Sequence, residues 1–179
     1  MRLAKSFEQG ACIMAILATQ QEGRPVSSRT IERRLKMSMT YGQKIMRKLV
    51  VAGLVKAVSG NNGGFALAKP INQISVLDVV IALDGDIESF PDTGLFGKVF
   101  NNPTEQSTEL ANNADTAVHR IFDMADNLWR QVLAQVTLQD IIVRVIDCSK
   151  LTPQLDWNSE APAEELLKQV TEEVKCLKD

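Results

Sequence analysis

The sequence of 179 residues has one histidine, His119, and only three cysteines, Cys12, Cys148 and Cys176, far apart and odd in number. That pattern fits neither a disulfide framework nor a metal-ligand spacing. It also leaves no Ser/His/Asp or Cys/His set to activate a nucleophile, so no enzyme is expected. Long apolar runs are missing too. The longest, ACIMAILA at 11–18, falls well short of the roughly 20 residues that span a bilayer. Arg2 and Lys5 are followed by Glu8 with no cleavage site, which reads as a start without a signal peptide. The expectation is a cytoplasmic protein with reduced thiols and no membrane partner.

What is there is a core and an uneven charge. Apolar residues make up 45% of the chain, enough to fold. The net charge of −2 hides an asymmetry. Residues 1–74 carry twelve Lys/Arg against three Asp/Glu, a net of +9, and residues 75–179 carry eight against nineteen, a net of −11. A basic first half suggests a polyanionic partner; an uneven solvated surface is the plainer alternative.

The apolar stretch within 7–23 predicts a buried helix ended at Gly23, with Cys12 in the core. Ser27 can cap a short helix with Ile31 and Leu35 on one face and Arg29, Arg33 and Arg34 on the other. Ser38 then reads as a second N-cap, opening MTYGQKIMRKLVVAGL. Ile45, Leu49 and Val50 form its inward stripe, while Thr40, Tyr41, Gln43, Lys44 and Arg47 are left for solvent or a partner. Two short helices joined by a three-residue turn are a helix-turn-helix, whose second helix meets base edges with its N-terminal end.

Leu54–Val58 and Phe65–Ala68 read as a hairpin after that motif, with Asn62-Gly63 as turn residues tolerant of positive φ. A hairpin in this place is a wing. The bare glycines 60, 63 and 64 would let its backbone approach a phosphodiester. A nucleotide-binding loop is the competing reading, but no helix opens at the last glycine and no GK[ST] follows.

ISVLDVVIALDG (74–85) predicts a helix with Ser75 and Asp78 as a capping-box variant. Residues 86–111 lose periodicity apart from a helical turn around LFGKVF, and a small-molecule effector pocket would be sought beneath them. From Asn112 to Gln135 the helical period returns, with Val118, Ile121, Phe122, Ala125, Leu128, Trp129, Val132 and Val136 on one stripe. A second copy of the chain is the simplest cover, and burial against the first helix of the same chain is the alternative. TLQDIIVRVI (137–146) reads as a short helix capped by Thr137, and Ser159–Asp179 as a last helix that packs on the dimer or trails loosely. His119 and the aromatics Phe96, Phe100, Phe122 and Trp129 read as structural rather than as a ligand set.

MRL at the start, Ser38 and Tyr41 in S-x-x-Y, LVVAGLVKAVSGNNGGFALAKP and ISVLDVVIALDG together resemble the Rrf2 family of bacterial winged-helix regulators. The resemblance covers about residues 1–146 and is most specific between 38 and 85. It implies a mainly α fold with a small β wing and a long dimerisation helix. The implied plan is a DNA-binding domain over 1–85, a loop or effector region over 86–111, dimerisation helices over 112–146 and a tail over 147–179. It also implies a homodimer on a partly palindromic operator, with positions 38–44 in the major groove and the 59–64 loop at the neighbouring minor groove.

Two departures stand out. Many wings of the family carry an arginine where this chain has Ser59. Its cluster-binding members place three cysteines before the long helix, whereas residues 86–136 here contain none. That segment offers Asp92, Glu105, Glu109, Asp115 and His119, oxygen and nitrogen donors ill suited to an iron–sulfur cluster. The expectation is therefore a repressor without a cofactor or metal, answering to a small molecule, an effector protein or a thiol change.

The expected DNA-contacting set is Ser38, Thr40, Tyr41, Gln43, Lys44, Arg47, Lys48, Lys56, Ser59, Gly60, Asn61, Asn62 and Gly63, with Arg2, Arg33 and Arg34 as further phosphate contacts. Gln43 and Thr40 are the candidates for base edges. The alternative is a regulatory module that binds a metabolic enzyme without DNA; it predicts a co-purifying partner and no salt-dependent DNA binding.

Overall fold

A computed structural model of the protein describes residues 3–90, 93–100, 105–146 and 153–178. These divide into two compact units: residues 3–85 with 134–146 and 153–178, and residues 86–133.

In the first unit, α1 (Lys5–Ala18) buries Gly10, Ile13, Met14, Ile16, Leu17 and Ala18. Its helical period puts Cys12 on the opposite side, exposed, which corrects the expectation of a core thiol. The helix ends at Thr19 rather than at Gly23, because the chain leaves it to pair with a distant segment. Gln21 N–H donates to the Leu155 carbonyl (3.0 Å), and Leu155 N–H donates to the Thr19 carbonyl (2.8 Å). Tertiary pairing thus replaces further helical hydrogen bonds.

Helix α2 (Ser28–Leu35) starts on Ser27, whose hydroxyl accepts from Thr30 N–H, and stops at Lys36 in the left-handed region. Helix α3 (Met39–Val51) buries Gly42, Ile45, Met46 and Leu49. Strands β1 (Val55–Val58) and β2 (Gly64–Leu67) pair antiparallel, with Val55 opposite Leu67 and Val58 opposite Gly64. The turn between them differs from the expected one. Its positive φ lies at Gly60 (+116°), not at Asn62 or Gly63, and Gly63 N–H closes it on the Gly60 carbonyl at 2.9 Å.

After a 3-10 turn (Ile71–Gln73) comes α4 (Val76–Asp84), which carries the expected capping box between Ser75 and Asp78. The core of this unit joins Ile13, Met14, Ile31, Ile45, Leu49, Leu54, Ile74 and Leu83, all at most 2% exposed. A side chain of this kind contributes about 1.5–3 kcal/mol when fully buried, so the helix-turn-helix is held mainly by α1 and α4 behind it.

The second unit contains α5 (Leu95–Phe100), at the expected LFGKVF turn, and most of α6 (Glu105–Ala134). This long helix begins seven residues before the predicted start, and its 30 residues give about 45 Å at 1.5 Å each. The polar residues of its first turns concealed it from a reading based on apolar period. Ser89 N–H donates to the Asp126 carboxylate (2.8 Å), as does its hydroxyl, and Arg130 binds the Asp86 carboxylate (3.1 Å) and the Ile87 carbonyl. Phe90 stacks on Phe122 at 5.0 Å and meets His119 edge-on at 5.1 Å. Phe122 and Trp129, expected in the core, are 37% and 42% exposed in the single chain.

Back in the first unit, α7 (Leu138–Ile146) is capped by Thr137 with Asp140. Its start is tied to α4 by Val76 N–H on the Val136 carbonyl and Leu138 N–H on the Ile74 carbonyl. Helix α8 (Ala163–Lys178) begins after Pro162, later than predicted, and buries Leu166 and Val170 with Leu155. The stretch 153–162 before it is a strap on the helix-turn-helix, bridged at Leu155 and turning at 156–159, rather than helix or loose tail.

Candidate nucleic-acid interface

The first turn of α3 is built to leave its side chains outward. Gly42, Ile45, Met46 and Leu49 set one face into the core, so the 3.6-residue period turns Thr40, Gln43, Lys44 and Arg47 to solvent along a single opposite face. Tyr41 is exposed beside them. Ser38 occupies the N-cap position with extended backbone, yet its hydroxyl makes no capping bond and is exposed. Unlike Ser27, it keeps its hydrogen-bonding capacity for a partner. The positive end of the helix dipole lies at the same place.

Lys48 sits at the other end of α3, its ammonium on the Leu83 carbonyl at the C-terminus of α4. That contact makes it a helix tie rather than part of the forward face.

On the wing, Lys56 is exposed on β1, and Ser59, Gly60, Asn61 and Asn62 are exposed around the turn, with Gly63 half-buried. Three glycines that could have served close approach to DNA have intrachain work. Gly60 supplies the positive φ. A Cβ on Gly63 would lie 2.5 Å from the Val58 carbonyl oxygen, and one on Gly64 2.2 Å from the Val26 carbonyl oxygen.

Arg34 does not stand as a phosphate contact, and Arg33 is engaged within the chain through one bond only. Arg34 donates from Nη1 to the Ala161 carbonyl (2.8 Å) and from Nη2 to those of Ser159 (3.0 Å) and Trp157 (3.3 Å), with its guanidinium 5.6 Å from the Trp157 ring centre. Desolvation, and then the charge of Arg33, lower its pKa. Arg33 donates to the Ser159 carbonyl at 2.9 Å. The strap was invisible as a partner in the sequence: its acceptors are backbone carbonyls, which carry no residue signature. Arg2 lies outside the described residues, as does Cys148; the side chain of Cys176 does too.

An open cleft of about 630 Å³ runs between α2 and the wing turn, lined by Arg24, Arg29 and Arg33, by Asn61 and Asn62, and by Asp156 and Glu160 of the strap. Arg24 pairs with Asp156 at 3.4 Å, whereas Arg29 is exposed at the start of α2. Arg29 is a cation that adjoins the wing and belongs with the candidate interface. In sequence it read only as part of a polar helix face.

Comparison with known proteins agrees with this geometry. Residues 3–144 match the family described as "Rrf2: Iron-dependent Transcriptional regulator". The candidate HTH-type transcriptional regulator YffB of Lactococcus lactis subsp. lactis is 31% identical over 141 residues, 79% of this chain and 86% of that one. The candidate regulator YwgB of Bacillus subtilis is 29% identical over 157 residues, 88% of this chain and 94% of its own. Among solved structures, T. potens IscR superposes with a TM-score of 0.57 at 23% identity, over 81% of this chain and 88% of its own, a likeness of fold. A regulator structure from Listeria innocua gives 0.52 at 26% identity, over 79% and 85%. With a wing after a helix-turn-helix and a family match over most of its length, the chain belongs to the Rrf2 family of transcriptional regulators.

Proposed function

We propose that this protein is a homodimeric, sequence-specific DNA-binding regulator, a repressor, that reads an imperfect palindrome. One observation carries the reading: the N-terminal face of α3 presents Ser38, Thr40, Tyr41, Gln43, Lys44 and Arg47 together, with no intrachain partner for the Ser38 hydroxyl. Gln43 suits the N6/N7 edge of adenine, Thr40 either a base or a thymine methyl, and Lys44, Arg47 and Lys56 suit phosphates. Dimerisation is supported by α6, where Ile121, Leu128 and Val132 are each at least 60% exposed on one stripe. Apolar positions so placed on a helix call for a second surface.

The family description names iron, and the donor set of this chain does not fit an iron–sulfur cluster. Residues 86–136 hold no cysteine, and among the described residues no three His, Cys, Asp or Glu side chains converge to hold a metal. Thiolates are what bind iron–sulfur clusters. In this reading the protein binds DNA without a cluster and answers to a small molecule, a partner protein or a thiol change. Among the described residues no helix is long and apolar enough to cross a membrane.

Genome-wide footprinting tests the proposal. It should return a degenerate palindrome whose half-sites are spaced by whole helical turns, about 34 Å each. Occupancy without a common sequence would contradict it. Anaerobic purification with iron and sulfide assay tests the cluster-free part: near-stoichiometric iron, whose removal abolishes operator binding, would overturn it.

A further inference from the structure

The chain continues past residue 144, where the family match ends, and residues 153–162 return as a strap across the corner between α1, α2 and the wing. The Leu155 backbone pairs with residues 19–21. Trp157 donates from its indole N–H to the Thr19 hydroxyl at 2.9 Å, and from its backbone N–H to the Gln20 side-chain carbonyl at 3.0 Å. Asn158 reaches furthest. Its Oδ1 accepts from Ser27 N–H (3.0 Å) and from the Thr30 hydroxyl (3.1 Å), and its Nδ2 donates to the Pro25 carbonyl (2.9 Å). One side chain thereby holds three groups of the corner 25–30.

That corner joins the two DNA-facing parts. Ser27 is the N-cap of α2. Val26, between Pro25 and Ser27, exchanges both backbone hydrogen bonds with Phe65 of β2. A shift of residues 25–27 must move the wing relative to α2. Polar groups at a half-buried corner also need partners, and Asn158 supplies acceptor and donor in the pattern the backbone requires.

We propose that Asn158 is a positioning residue for DNA recognition: through Ser27, Thr30 and Pro25 it fixes the wing against the helix-turn-helix, so that the strap is a working part of the reader. The proposal rests on the DNA-binding reading above for its effect on affinity, but not for its effect on the wing.

The test compares the full-length protein with Asn158→Ala and Asn158→Asp, by operator binding and by amide hydrogen exchange. The alanine variant should lose about tenfold in affinity for the operator, the scale of one or two unmade hydrogen bonds, with its binding to scrambled duplex unchanged. Its Ser27, Val26 and Phe65 amides should exchange faster while those of α4 keep their protection. The aspartate variant retains the two accepted bonds and should recover most of the Ser27 protection and part of the affinity. Faster exchange confined to residues 153–178 with operator affinity kept would show that Asn158 merely fastens the tail, and would overturn the proposal. So would equal losses for operator and scrambled duplex. If the wild-type protein itself shows no preference for any duplex, the DNA reading fails, and exchange at Val26 and Phe65 still decides whether Asn158 sets the wing.

Discussion

Val26 and Phe65 exchange two backbone hydrogen bonds, Val26 N–H to the Phe65 carbonyl at 2.9 Å and Phe65 N–H to the Val26 carbonyl at 2.8 Å. The residue that precedes the N-cap of α2 thus forms an isolated antiparallel bridge to β2 of the wing. This close approach is why residue 64 has no side chain, since a Cβ there would lie 2.2 Å from the Val26 oxygen.

Gly64→Ala should therefore push the wing off its support. The expected loss of stability is about 1–3 kcal/mol, the usual cost of overpacking, seen as a lower midpoint in urea denaturation. An unchanged midpoint would mean that the hairpin moves without cost.

The two serine caps should separate stability from recognition. Ser27→Ala removes an observed capping bond and should cost about 1 kcal/mol. Ser38 makes no such bond, so Ser38→Ala should leave the denaturation curve in place while weakening operator binding.

Salt titrations should sort the cations. Lys44→Ala and Lys56→Ala should each lower the slope of log affinity against log salt by about one unit. Arg34→Ala should leave the slope alone and lower the melting temperature, because its guanidinium is spent on strap carbonyls. Gln43→Ala should leave the slope alone too, and relax preference at one or two base positions by about 1–3 kcal/mol.

The acidic limb of stability should report the 86–133 unit. The hydroxyl and N–H of Ser89 hold the Asp126 carboxyl below the ordinary carboxylate range. A carboxylate with a depressed folded pKa contributes stability above its unfolded value of about 3.9, and that contribution is lost as pH falls below it. Asp126→Asn should flatten the change in urea midpoint between roughly pH 5 and pH 3. A variant as acid-sensitive as the wild type would place the acid transition elsewhere.

Much of the fold is legible in the sequence, and the gaps have physical causes. The two helices of the motif, the Ser75–Asp78 box and the two strands of the hairpin follow from local chemistry, period and caps, while the turn between the strands takes its positive φ at Gly60 instead of Asn62-Gly63. Contacts that depend on a distant backbone were not legible. Helix α1 ends early because residues 19–21 pair with Leu155, and Arg34 leaves the phosphate set because carbonyls 123 to 127 positions away capture it. Gly63 and Gly64 looked like openings for DNA, and their space is filled by the chain's own backbone.

If the α3 face reads DNA sequence, the protein must tell its own operator from other DNA. Fluorescence anisotropy on a labelled duplex from the protein's own footprint, against a scrambled duplex of equal length, tests it across a salt series. The footprint duplex should be preferred by a factor of about 10³ or more at physiological salt, with affinity falling steeply as salt rises. Equal affinity for both duplexes, or binding insensitive to salt, would contradict it.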